Sequence, residues 1–220
     1  MDSRRLEITC GEAPYLVSRY DVATGEIIPV RRRIGILDRK LRVVSENTET
    51  EADWLRWTIR AFQATYGYEF QGDNLLIARV NMMMSFAEHL EYRWHREPQK
   101  AEYRKLANIV AWNLWQMDGL TGTLPYRKAE EEFPQFTLFD QMGIEPEELN
   151  RQPRSRIFDW RRENSLEYKR VNTRGRNMKF DFVIGNPPYQ ESQETNNKTE
   201  AVYHYFYDNV AEITDRYIHI

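Results

Sequence analysis

The stretch Lys179-Phe-Asp-Phe-Val-Ile-Gly185 constrains the fold of this chain more than any other. It is an apolar run bounded by turn residues, the pattern of a strand buried on both faces of a parallel sheet. Asn186-Pro187-Pro188-Tyr189 follows directly. Two successive prolines cannot continue a ladder, so they set a rigid turn whose carbonyls stay outside secondary structure. Those carbonyls, with the Asn186 amide oxygen, can accept hydrogen bonds from an amino group, and Tyr189 can stack on a planar ring. The place suits a ligand, because open α/β sheets bind at the carboxyl ends of their strands.

The remaining pattern alternates strands with helices. Leu6 to Cys10 reads as a short strand running into the turn Gly11-Glu12-Ala13-Pro14. Thr50, three residues before Asp53, predicts a capped helix start, and Trp54, Trp57, Ala61 and Phe62 share one helical face. Ala64 to Phe70 is strand-like and ends in a polar turn at Gln71 to Asn74. A long helix is predicted over 74–95, and Pro98 is placed to begin another that runs to Trp112 and leads into Asn113 to Asp118. Thr121 to Asn177, with Pro125, Pro134, Pro146 and Pro153, reads as an irregular insertion with short helices. Tyr203, Phe206, Val210 and Ile213 mark a further helix, and Arg216 to Ile220 the start of a strand. Such alternation indicates a parallel, doubly wound sheet.

Composition removes several classes. A chain of 220 residues, 41% hydrophobic and with six Trp, can bury a real core, which excludes wholesale disorder. No apolar run reaches the length of a spanning helix, and no apolar stretch follows Arg4 and Arg5 as in a secretory leader. A single Cys allows no internal disulfide, and no Cys/His cluster has zinc spacing, so no metal is expected. The chain reads as soluble and cytoplasmic, with no membrane partner. Net charge is -3, but Arg151 to Lys179 holds ten Lys and Arg against three acids, a local +7 that leaves -10 elsewhere. Basic segments of this kind suit phosphate backbones. Taken alone, the segment reads more readily as a solvated insertion.

Asn186-Pro187-Pro188-Tyr189 after an apolar strand resembles the catalytic motif of S-adenosylmethionine-dependent methyltransferases acting on planar amino groups, best known in the adenine-specific DNA methyltransferases. Three further motifs stand in the family's order. Glu7-Ile-Thr-Cys-Gly-Glu-Ala-Pro-Tyr-Leu16 is similar to the cofactor-binding first motif, usually Asp-Pro-Ala-Cys-Gly-Ser-Gly. Tyr66 to Asn74 resembles the second strand with its acidic residue, here Glu69. Asn113-Leu-Trp-Gln-Met-Asp-Gly-Leu120 resembles the motif written Asn-Ile-x-x-Gly-Asp-x-Leu. Ala13 replaces the second loop glycine, and Glu7 stands for the opening Asp.

The resemblance implies a Rossmann-like α/β methyltransferase fold with a mostly parallel sheet and a long irregular insertion. It divides the chain into a cofactor-binding part (1–120), a basic insertion (121–178) and a catalytic part (179–220). Thr9, Cys10, Gly11, Glu69 and Asp118 would bind S-adenosylmethionine, with Glu69 accepting from ribose hydroxyls and Asp118 from the adenine amino group. Asn186, Pro187, Pro188 and Tyr189 would be catalytic toward adenine in double-stranded DNA, within a type II restriction–modification system. The family's domain continues with more strands and a C-terminal recognition region, so a fragment, truncated at both ends and with its sheet incomplete at the C-terminus, is expected. A restriction or specificity subunit is a further expected partner. Two alternatives stay open: methylation of protein glutamine or ribosomal RNA, and a non-catalytic remnant that binds DNA or a partner.

Overall fold

The computed structural model describes residues 2–125, 154–168, 178–185, 190–192 and 199–201, together with 206, 208, 210, 211, 213, 214 and 216–219. Along the chain stand β1 (Arg5–Ile8), α1 (Ile36–Glu46), α2 (Glu51–Gln63), β2 (Thr65–Glu69), α3 (Gly72–Trp94), α4 (Lys100–Asn113) and β3 (Leu114–Gln116). Then come β4 (Arg156–Asp159), β5 (Asn164–Glu167), β6 (Phe182–Gly185), β7 (Gln190–Ser192), β8 (Thr199–Ala201) and β9 (Tyr217–His219). Local chemistry sets the helix ends. Thr50 caps α2 by accepting from the Asp53 N–H at 3.2 Å. At α4 the cap is Gln99, one residue beyond Pro98, and Glu102 completes a capping box. α3 ends at His95 in a left-handed conformation, φ +54°.

Five parallel strands form one sheet in the order β3-β2-β1-β6-β9. Strand direction and a period of two decide what each face buries. Leu6, Ile8, Tyr66, Tyr68, Trp115 and Val183 point to one face, where Ile157, Tyr168, Phe180, Phe206, Val210 and Ile213 cover them. The other face meets α1 to α4 through Leu37, Leu41, Trp54, Phe62, Met82, Phe86, Leu106 and Val110. Phe206, Val210 and Ile213 are helical and buried, as their spacing predicts; Tyr203 lies outside the described residues. Among the described residues no helix is long and apolar enough to cross a membrane.

One element differs from the sequence expectation. Within 121–177, where short helices were expected, residues 156–167 form an antiparallel hairpin, β4 with β5, in the register Ile157 opposite Leu166, while 126–153 and 169–177 lie outside the described residues. The hairpin is docked rather than solvated. Ile157 is fully buried, and Asp159 forms a buried ion pair with Arg4 just before β1. Ser155 donates from its N–H to the Gly122 carbonyl at 3.1 Å and from Oγ to the Gln116 carbonyl at 3.0 Å, which ties the hairpin to the end of β3.

Candidate active site

From β1 the chain steps one way to β2 and β3 and the other way to β6 and β9, so the order reverses between β1 and β6. The crevice outside the carboxyl ends at such a reversal is where open α/β sheets bind ligands. Ile8 pairs with Gly185, so Thr9 and residue 186 each follow the last paired residue of adjacent strands. A Cβ on Gly185 would lie 2.0 Å from Ile8 Cγ1, and only glycine permits that approach. Asn186, Pro187, Pro188 and Tyr189 themselves lie outside the described residues, as do Arg151, Lys169, Arg170, Arg174 and Arg176 of the basic segment.

The loop after β1 turns sharply. Thr9, Gly11 and Ala13 all have positive φ, at +49°, +52° and +64°. For Thr9 and Ala13 this is the left-handed region that L side chains avoid, and strain of that kind gathers at functional loops. Ala13 thus adopts the conformation that a glycine would take there without cost. Its N–H donates to the Cys10 carbonyl at 2.7 Å, and its carbonyl accepts from Leu16 and Val17 at 3.1 and 2.9 Å. Among the described residues, chain neighbours aside, no atom lies within 4 Å of the place a Cβ would take on Gly11, which leaves the backbone there open to a ligand.

Glu69 closes this loop from β2. Its Oε2 accepts from the Gly11 N–H at 2.7 Å and its Oε1 from the Gln71 N–H at 3.1 Å. A carboxylate has about four acceptor positions, so capacity remains for two hydroxyls. Asp118 stands two residues past the end of β3, where Met117 still donates to the Glu69 carbonyl at 3.0 Å. Its Oδ1 accepts from the Leu120 and Thr121 N–H groups at 2.8 and 3.3 Å, which fixes the turn after β3. Cys10 contributes backbone only: its N–H donates to the Tyr68 carbonyl at 2.8 Å, while its side chain is buried against Gly67. Burial first, then the nearby Glu7 and Glu69, pushes its thiol well up. The structure therefore brings Thr9, Gly11, Glu69 and Asp118 to one sheet edge and turns the Cys10 side chain away from it.

Three residues outside the expected site set, Glu7, Asn81 and Tyr20, organise the loop. Glu7 points from β1 into the helix-side core and accepts from the Leu16 N–H at 3.2 Å. Burial pushes its carboxyl well up, and the Tyr15 and Leu16 N–H groups partly oppose that. Asn81 of α3 donates to the Glu12 carbonyl at 3.0 Å and to the Tyr20 hydroxyl at 3.1 Å; that hydroxyl in turn donates to the Glu12 carboxylate. A polar residue between Ala78 and Met82 on the buried stripe of α3 was the available signal for Asn81. At the opposite, amino edge a cavity of about 260 Å³ lies among Asp2, Arg4, Arg60 and Arg161, and Asp2 already engages Arg60 and Arg161. Among the described residues no His, Cys, Asp or Glu group is arranged to hold a metal ion.

Against known proteins, the model of the Eco57I restriction-modification methylase family matches residues 63–220. The match takes in Glu69, Asp118 and the Asn186 to Tyr189 turn, and starts after the loop at Thr9 to Ala13. Neither curated proteins nor solved structures gave a match.

Proposed function

Because the chain belongs to the Eco57I restriction-modification methylase family, we propose that it transfers a methyl group from S-adenosylmethionine to the exocyclic amino group of adenine in DNA. The observation that carries this reading is the hydrogen bond from Gly11 to Glu69. It puts an open glycine backbone and a carboxylate with spare acceptor capacity at one edge of the sheet, beside the strand that leads into Asn186. That donor and acceptor set fits the cofactor: Glu69 would hold the ribose hydroxyls, Asp118 the adenine amino group, and the loop from Thr9 the methionine part. When bound, S-adenosylmethionine supplies an electrophilic methyl group on a sulfonium.

The chain's own residues do the rest. An adenine amino nitrogen is a weak nucleophile because its lone pair is delocalised into the ring. Hydrogen bonds from that amino group to the Asn186 side-chain oxygen and the Pro187 carbonyl favour its pyramidal, attacking form, while Pro188 stiffens the turn. Tyr189 stacks on the base once it has flipped out of the duplex. Positioning and electrostatics supply the acceleration. The basic segment, including the exposed Arg154, Arg156, Arg161 and Arg162, supports a DNA backbone role.

The test uses the full-length protein. S-adenosylmethionine is titrated by calorimetry, and labelled methyl transfer to duplex DNA is followed by identification of the product base. We expect binding and N6-methyladenine, with Asn186→Ala losing turnover by orders of magnitude while both affinities hold. Methyl transfer to protein or RNA but not DNA would overturn the reading, and so would the absence of cofactor binding.

A further inference from the structure

Between the loop after β1 and α1 the chain forms an arm. Tyr20 bridges Ile27 in antiparallel fashion, Ile28 donates to the Arg19 carbonyl at 2.8 Å, and Asp21 closes the tip by accepting from Ala23 and Thr24. A 3-10 turn, Val30–Arg32, then leads back to α1. The arm's base is locked. Arg19 forks onto Glu88 of α3 at 3.0 and 2.6 Å, and Arg33, only 2% exposed, donates to the same carboxylate at 2.6 Å and to the Ile28 carbonyl at 2.9 Å. Ser18 Oγ accepts from Ile34 and Gly35 at 2.8 and 3.0 Å. Ile36 donates to the Tyr15 carbonyl at 2.7 Å, so the base of the arm is bonded to the proposed cofactor loop itself.

The arm's tip exposes two acids, Asp21 and Glu26, while its return toward α1 presents basic and apolar side chains. From Arg31 to Arg42 there are six Lys and Arg against the single Asp38, a denser charge than in the segment 151–179. Three of the six are used internally: Arg33 on Glu88, Lys40 on the Ser3 and Ala64 carbonyls, and Arg42 on backbone carbonyls of the turn. Arg31, Arg32 and Arg39 are exposed. Arg42, half-buried three residues after Arg39 on the same helical face, donates to the Arg31 and Arg33 carbonyls and pins the turn to α1. Beside them runs a groove of about 480 Å³, lined by Arg31, Arg42 and Arg93, with His89 and Ser45, and with Glu46 as its one acid. Val22, Ile27 and Ile34 are 71%, 64% and 66% exposed on the same arm.

We propose that this arm and the outer face of α1 form a DNA-gripping surface, in which Arg31, Arg32 and Arg39 contact the phosphate backbone next to the active edge. The proposal rests on the DNA-methylating reading above. A solvated charged loop has no use for a base built from partly buried ion pairs that share one carboxylate. A surface that must meet a polyanion does, because guanidinium groups fixed in advance lose less freedom on binding. Exposed β-branched side chains among the arginines suit the sugar-lined wall of a groove.

The experiment reverses Arg31, Arg32 and Arg39 to Glu together. A control variant reverses Lys100, Arg104 and Lys105, which are exposed on α4. Affinity for duplex DNA is measured by fluorescence anisotropy across a salt series, with S-adenosylmethionine titration and thermal unfolding as checks on cofactor binding and folding. The arm variant should lose affinity about tenfold or more at every DNA sequence, and its log–log salt slope should fall by about 0.9 per lost contact. The control variant should keep both. Wild-type affinity in the arm variant, or equal losses in both variants, would overturn the arm's role while leaving the methylation reading standing. A wild-type chain without affinity for duplex DNA would overturn both. Retained DNA affinity with lost affinity for polyglutamate would reassign the surface to an acidic protein and so overturn the DNA assignment.

Discussion

Glu69 holds the loop after β1 through Gly11 and the start of α3 through Gln71, so removing it disturbs both the loop and the proposed ribose contacts. Glu69→Ala should weaken S-adenosylmethionine binding by roughly 1 to 3 kcal/mol, the range for hydrogen-bonded partners left unpaired. Glu69→Gln should fall between, because an amide keeps one acceptor but sets its NH2 against one of the two backbone donors. Calorimetry on each variant reads this, and unchanged affinity in Glu69→Ala would remove the residue from the site. That Glu69 ends a strand was legible, because the strand pattern from Ala64 stops at a polar turn; its part in cofactor binding was implied by the family resemblance alone. The Glu12–Asn81 contact was not, since its partners are 69 residues apart and nothing local records the pairing. At Ala13 the substitution for glycine was visible in the sequence, while its left-handed backbone was not.

Helices and central strands could be read from the sequence because their signals are local: a cap at Thr50, a period of 3.6 through α2, an apolar run at β6. The hairpin could not. β4 reads Arg-Ile-Phe-Asp, and the inward-facing Asp159 looks like a surface residue until Arg4, 155 positions away, neutralises it. Between elements, β6 and β1 meet at Gly185 and Ile8. Gly185→Ala would force a methyl group to within 2.0 Å of Ile8 Cγ1 and 2.9 Å of its carbonyl oxygen. Overpacking of this kind costs about 1 to 3 kcal/mol, and the shift needed to relieve it would move the residue before Asn186. Urea unfolding should show the loss, and Ile8→Ala in the same chain should recover part of it. An unchanged midpoint in the single variant would mean the strands do not approach so closely.

Over the whole molecule, the sheet separates two cores, one against α1 to α4 and one beneath the hairpin and the C-terminal helical residues. The Arg4–Asp159 pair joins the second layer to the root of β1, with the Arg161 N–H also donating to Asp159 at 2.9 Å. Asp159→Ala should destabilise the chain by about 3 to 5 kcal/mol, because it leaves Arg4 buried without its counter-ion. A paired Arg4→Met and Asp159→Leu replacement should be far milder. Chemical denaturation of the three chains decides it, and equal losses in the single and double variants would show that the charge pair is not what holds the hairpin.

The register of the central pair, Arg5 against Phe182, also fixes an order of assembly. A ribosome releases β1, β2 and β3 with α1 to α4 long before β6 exists, and those local contacts can form first. Strand β6 must then close a loop of most of the chain's length, the slow kind of step in a high-contact-order fold. Until it arrives, Leu6, Ile8, Tyr66, Tyr68 and Trp115 have no cover from β6 or the segments around it. A nascent chain therefore holds the loop after β1 before the strand that leads into Asn186 exists, and the two meet only once β6 has been made.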